Sequence, residues 1–222
     1  SSNRVNRRLT EPFASPSALV TQQFKDFLDR VPTPAEQDEW IPAITACTTP
    51  ADQLIETLIP TDLTLDDARL VRLYLAYFNR PPDPTGFAYW QGQLNLGRGL
   101  VNAARSFAGS PEFIRTYGDL DNGAFVDLVY QNVLGRSPDA SGRAYWVGQL
   151  DAGKKNRGEV MINFSESSEN TSKKAAHVKV FRAFRGMRRR FPTTAEFNAL
   201  VDPIVAETST VRGAVHAIRI SA

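Results

Sequence analysis

The residues of this 222-residue chain that could do chemistry are few and mostly isolated. His177 and His216 stand outside any HExxH or other metal-ligand spacing, and no G-x-S-x-G marks a nucleophilic serine. Cys47 is the only cysteine, so it can close no intrachain disulfide and join no cysteine cluster for zinc. At a helix boundary it reads as a small apolar filler. Asp83 and Asp139 each precede a glycine by three residues (Gly86, Gly142) and offer one carboxylate with at most one hydroxyl, Thr85 or Ser141. A calcium cage needs about six or more oxygen ligands. These aspartates are therefore expected to cap helices, and no metal, cofactor or enzymatic activity is expected.

Three other sets of residues point to binding. Tyr89 with Trp90 and Tyr145 with Trp146 are adjacent aromatics, and neighbouring helix positions diverge by about 100 degrees. The tryptophan is expected in the core and the tyrosine partly exposed, where its ring could stack on a sugar. Arg182, Arg185 and Arg189 fall along one helix face. That face reads by default as solvated, and it could also meet an acidic polymer or a phosphate-rich surface. Arg80 and Arg136 could hold an anion or a neighbouring carboxylate. The recurrence described next favours a structural role for them: bridging to backbone carbonyls or to the aspartate cap, with the stem packed on the tryptophan.

The elements that position these residues repeat. Residues 69–95 and 125–151 align without a gap at an offset of 56, sharing Tyr74/Tyr130, Arg80/Arg136, Pro82/Pro138, Asp83/Asp139, Gly86/Gly142, Tyr89/Tyr145, Trp90/Trp146, Gly92/Gly148, Gln93/Gln149 and Leu94/Leu150. Two fainter copies flank this pair. Arg30 stands ten residues before Trp40, and Arg190 stands ten before Leu200, so the frame arginines are 50, 56 and 54 residues apart. The reading is all-α: four degenerate helical repeats of about fifty residues packed into one compact body. The consensus pair forms the centre and the divergent copies cap it.

Each frame is expected to open with an amphipathic helix. Leu70, Leu73, Tyr74 and Tyr77 form one apolar stripe; Phe125, Leu128, Val129 and Val133 form the next. Phe24, Phe27 and Leu28 do the same in the first frame, and Val180, Phe181 and Phe184 in the fourth. Thr64 with Asp67 forms a capping box for the second frame's helix. After the arginine a second helix starts, capped by Asp83 (with Pro84 next) or Asp139. The outer frames use the boxes Thr33 with Glu36 and Thr193 with Glu196. These second helices end near Gly97 and Gly153. Third helices are expected over residues 52–59, 101–108, 157–164 and 211–218.

The inner frames, YLAYFNRPPDPTGFAYWQGQL and YQNVLGRSPDASGRAYWVGQL, resemble the domain of unknown function 4214 family. Its hallmark is GR-x-PD-x-x-G-x-x-YW with a downstream Ser-x-Glu-Phe/Tyr, a place taken here by SPEFIRTYG (110–118) and SSENTS (167–172). The resemblance covers about residues 65–172, and more distantly it extends to the helical linker domains of phycobilisomes. Such domains usually occur in bacterial secreted or surface proteins, which implies an extracellular accessory role. Asn79 replaces the usual glycine before Arg80, the outer frames lack the Asp-x-x-Gly element, and no glycine- and aspartate-rich calcium repeat is present.

Composition sets the remaining bounds. With 42% hydrophobic and 23% charged residues the chain is of ordinary globular make-up. A net charge of +2 is too mild to imply nucleic acid. No run approaches the roughly 18–20 apolar residues of a membrane helix. The expected segments are a polar tail over 1–16, a divergent repeat over 17–63, consensus repeats over 64–119 and 120–172, and a divergent repeat over 173–222. The tail lacks an apolar signal core and reads as left by processing or trimming. The expected function is a non-enzymatic interaction or anchoring module, extracellular or on the cell surface, whose partner is a protein or polysaccharide of the envelope. A carbohydrate-binding module using the repeated aromatics and an intracellular linker-like scaffold are the alternatives. The oligomeric state is left open.

Overall fold

The computed structural model describes residue 10, residues 12–59 and residues 65–221, and every regular element among them is helical. The first frame holds α1 (Pro16–Leu28), α2 (Pro34–Thr45) and α3 (Ala51–Leu58). The second holds α4 (Leu65–Phe78), α5 (Pro84–Asn95), α6 (Leu100–Ala108) and the short α7 (Pro111–Tyr117). In the third, α8 (Asn122–Val129) runs on as a π-helical turn (Tyr130–Leu134), followed by α9 (Ala140–Asp151), α10 (Arg157–Ser165) and α11 (Ser168–Lys173). The last frame has α12 (Ala175–Arg188), α13 (Thr194–Val205) and α14 (Val211–Ile220). The third helices fall where expected, whereas α7 and α11 are additional. The expected capping residue Thr64 lies outside the described residues.

One backbone device recurs at each break. The residue before each frame arginine is left-handed: Asp29 (φ 53°), Asn79 (φ 51°), Gly135 (φ 69°) and Arg189 (φ 52°). The second helices end the same way at Cys47 (φ 59°), Gly97 (φ 77°), Gly153 (φ 63°) and Glu207 (φ 56°), in the register of the four arginines. A left-handed residue at a helix end is the usual stop signal and favours glycine. Cys47 therefore sits where the inner frames use glycine. It is exposed rather than an apolar filler, because that position closes a helix and turns outward. Asn79 departs from the family glycine at little cost, since asparagine tolerates this region best among non-glycine residues.

The described residues fall into two compact units, one from residues up to 59 together with 176 onward, the other from 65–175. The outer frames, expected to cap the consensus pair, share one core with each other. In that core Leu19, Phe24, Phe27, Leu54 and Ile55 of the first frame pack with Ala183, Phe184, Val215 and Ile218 of the last. The two frames meet isologously. Asp52 bonds His216 at 2.9 Å, and Glu56 bonds Arg212 at 2.9 Å. Asp52 and Arg212 hold the same frame position, as do Glu56 and His216, so the contacts are reciprocal, as across a twofold axis. Arg219 adds a bond of 2.7 Å to the buried Asp52. In the second unit the amide of Asn132 donates at 3.2 Å to the carbonyl of Ala76, its own frame equivalent. There Arg72 binds Glu166 at 2.9 Å, and Tyr77, Phe107, Phe113, Phe125 and Phe164 are core residues.

The approach of α1 to α12 depends on Gly186, where a Cβ would lie 2.4 Å from Phe27 Cε1. Gly186→Ala is expected to cost about 1–3 kcal/mol through overpacking. Differential scanning calorimetry should show the melting temperature falling by several degrees, and Phe27→Leu added to the variant should recover part of the loss. An unchanged melting temperature for Gly186→Ala would show that the helices are not held by this contact.

Candidate functional site

The four frame arginines adopt one arrangement. Each lies six residues after an aromatic on the first helix and stacks over its ring: Arg30 on Phe24 at 5.1 Å, Arg80 on Tyr74 at 5.3 Å, Arg136 on Tyr130 at 5.5 Å and Arg190 on Phe184 at 4.9 Å. The expectation that the stem packs on the tryptophan is corrected by this geometry. The left-handed turn before the arginine folds it back along its own helix. Arg30, Arg80 and Arg190 also donate to the carbonyl of the next residue, at 3.2, 3.0 and 3.2 Å. Such cation–π contacts are worth about 0.5–2 kcal/mol each.

The acid that meets the arginine comes from two places. In the outer frames it is the third residue of the capping box. Glu36 binds Arg30 through two bonds of 2.7 Å, and Glu196 binds Arg190 at 2.9 and 2.5 Å. The same carboxylates accept from the Thr33 and Thr193 amides. The arginine first, and the capping amide second, hold Glu36 and Glu196 down to about 2. In the inner frames that position is glycine, because a tyrosine hydroxyl occupies the space: a Cβ would lie 2.2 Å from Tyr74 Oη at Gly86 and 2.5 Å from Tyr130 Oη at Gly142. Arg80 instead binds Glu112 of α7 at 2.7 and 2.8 Å and reaches Asp83 at 3.4 Å, and it holds Glu112 below the usual carboxylate range. The Ser-x-Glu element thus has two roles. Ser110 and Ser167 cap α7 and α11, while Glu112 supplies the missing acid. Glu169, in the same place as Glu112, is held low by Lys173 first and by Arg136 at longer range.

Asp83 and Asp139 accept from the amides of Gly86 and Gly142 at 2.8 Å, so both are helix caps as expected. The aromatics behind them form two matching ledges. Tyr89 and Tyr145 are 56% and 55% exposed, and each stands edge-to-face against its tryptophan at 5.0 Å, with interplanar angles of 81° and 79°. The exposed tyrosines fit the expectation, but the tryptophans are half-buried rather than core. Trp90 rests on Phe107 and Trp146 on Phe164, at ring distances of 5.7 and 5.3 Å, while Phe87 takes the inward position of α5. Trp40 is half-buried against the first unit's core.

The expected stripe of Arg182, Arg185 and Arg189 is not an open basic face. Arg182 is buried at 8% exposure on a helix whose Val178, Phe181, Ala183 and Phe184 are buried as well, and Arg185 lies over Phe191 at 4.6 Å. Arg189 is exposed and binds Asp26 at 2.5 Å. Arg185 and Arg189 line a cleft of about 560 Å³ with Lys25, Asp26, Asp29 and Arg30, a mixed-charge surface. The pairing of His216 with Asp52 was invisible in sequence, since the two lie at opposite ends of the chain.

The arginine sites can be tested through their volume exchange and through their acids. Gly86→Glu alone should destabilise the chain by about 1–3 kcal/mol. Combined with Tyr74→Phe it should regain stability, because the introduced carboxylate then meets Arg80 as Glu36 meets Arg30. Chemical denaturation of the four-member cycle checks this, and simple additivity would refute the exchange. Glu36 and Glu196 have folded values depressed to about 2 from the ordinary 4.5, so their contribution is present above 4.5 and is lost as pH falls towards 2. Thermal melts from pH 5 to 2 should show that decline, and Glu36→Gln with Glu196→Gln should flatten it.

Residues 104–174, from within α6 to the end of α11, match the family model described as Domain of unknown function (DUF4214). No curated protein and no solved structure significantly matches the chain. With the arginine site, the aspartate cap, the glycine beneath the tyrosine hydroxyl and the Ser-x-Glu helix in place, the chain carries a DUF4214 domain at residues 104–174.

Proposed function

We propose that this chain is a non-enzymatic interaction and anchoring module of a bacterial extracellular or cell-surface protein, acting on a protein or polysaccharide of the envelope. The observation that carries this reading is the pair of ledges at Tyr89 and Tyr145, two aromatic rings held outward in the same geometry. An exposed aromatic fixed by a neighbouring ring loses little conformational freedom on binding, which suits it to recognition. The charged residues of the frames support the reading from the other side. Arg30, Arg80 and Arg190 are engaged by Glu36, Glu112 and Glu196, and Asp83 and Asp139 by helix amides, which is the work of a scaffold. The surroundings in which proteins resembling this family occur supply the extracellular setting.

Cell fractionation and pull-down test the proposal. In a bacterium encoding it, the protein is expected in the envelope or medium. The purified chain is expected to be retained by envelope material in high salt, since aromatic contacts outlast ionic screening. Recovery only from the cytoplasm, with no retention by envelope fractions, would overturn the reading.

A further inference from the structure

The second helix of each inner frame carries glycines that the fold itself does not require. Gly92 in α5 and Gly148 in α9 lie within helix, and a Cβ built on either meets nothing within 4 Å. In a helix interior only proline is less favourable than glycine. Each glycine stands three residues after the exposed tyrosine and one before a glutamine. Tyr89, Gly92 and Gln93 therefore share one helix face, as do Tyr145, Gly148 and Gln149. A bare stretch of backbone beside a fixed, exposed ring lets a flat ligand settle onto the helix. Gln93 accepts a bond of 2.5 Å from Arg98 at the end of the same face, and Lys154 takes the place of Arg98 in the other frame.

We infer that these two faces are equivalent carbohydrate subsites, each taking one pyranose ring of a β-1,4-linked polymer flat on the tyrosine. The inference rests on the interaction-module reading and names its ligand. A pyranose with equatorial substituents presents an apolar face of axial C–H bonds that stacks on an aromatic ring. Its hydroxyls, at the ring edge, meet the donor and acceptor of a glutamine amide. A protein partner fits less well. Leu96 is exposed beside the first ledge, but Ala152 replaces it beside the second, so the apolar part common to both is one tyrosine ring with its half-buried tryptophan. That is far short of the roughly 800 Å² per side of a standard protein interface. The outer frames carry Glu39 and Ala199 at the tyrosine position and Pro42 and Asp202 at the glycine position, so they keep the arginine site without the ledge.

Three proteins test the inference: the unaltered chain, Tyr89→Ala with Tyr145→Ala, and Gly92→Leu with Gly148→Leu. Each is titrated with cellohexaose and chitohexaose by calorimetry and sedimented with cellulose and chitin. The unaltered chain is expected to bind two oligosaccharides of one of these types. The tyrosine variant should bind about tenfold more weakly or worse with unchanged circular dichroism. The leucine variant should melt at a higher temperature, because it gains helix propensity, and yet bind more weakly, because the bare backbone is filled. Undiminished binding by either variant, or no binding to either polymer by the unaltered chain, overturns the subsites. Envelope retention through a protein, without binding to either polymer, overturns this inference while leaving the interaction role. Loss of envelope retention altogether removes both.

Discussion

The frame arginine, stacked on the aromatic six residues before it, is the contact on which the rest of each frame depends. It sits at the break between the first two helices, immediately after a left-handed residue. A break of that kind leaves the chain free to leave in many directions unless something fixes it. The guanidinium does so through its contacts. It lies on the ring behind it, and in three frames it also binds the carbonyl ahead of it and pairs with an acid that is either part of the next helix cap or supplied by α7. Arginine suits this role because its planar fork can stack and make two parallel bonds at once, and lysine can do neither.

Two solutions to that contact coexist in one chain. With phenylalanine on the first helix, the cap supplies glutamate; with tyrosine, the hydroxyl fills the same space and the cap residue is glycine. The exchange concerns volume and hydrogen bonding together, so neither member can change alone. It also gives α7 its role in the second frame. Once the cap has lost its carboxylate, Arg80 takes its acid from α7.

A frame of three short helices is too small to bury its own apolar stripes, and the units answer this by pairing frames. The pairing in the first unit is reciprocal, with Asp52 to His216 and Glu56 to Arg212, and a similar relation brings Asn132 onto Ala76 in the second. The first and third helices are consumed by this pairing. The outward face of the second helix is not, and that is where Tyr89 and Tyr145 stand. Scaffold and surface are therefore separable. The divergent frames keep the arginine, the caps and the stops but replace the tyrosine and the glycine beside it.

The helical class, the caps at Thr33, Asp83, Asp139 and Thr193 and the apolar stripes were all legible in sequence, because each is a local rule acting over a turn or two of helix. The exposure of Tyr89 and Tyr145 was legible for the same reason: a helix that buries one face shows another. What the sequence could not carry was partnership over distance. It did not tell that the arginines would lie on first-helix rings rather than on the tryptophans, since both stand within reach along the chain. It did not tell that Arg182 would be buried, because burial of a charged side chain depends on what packs over its helix. Nor did it tell that the first frame would share its core with the fourth. Local chemistry fixes where each helix starts and stops, whereas the choice of which stripe covers which is made only when the whole chain competes for the same buried surface.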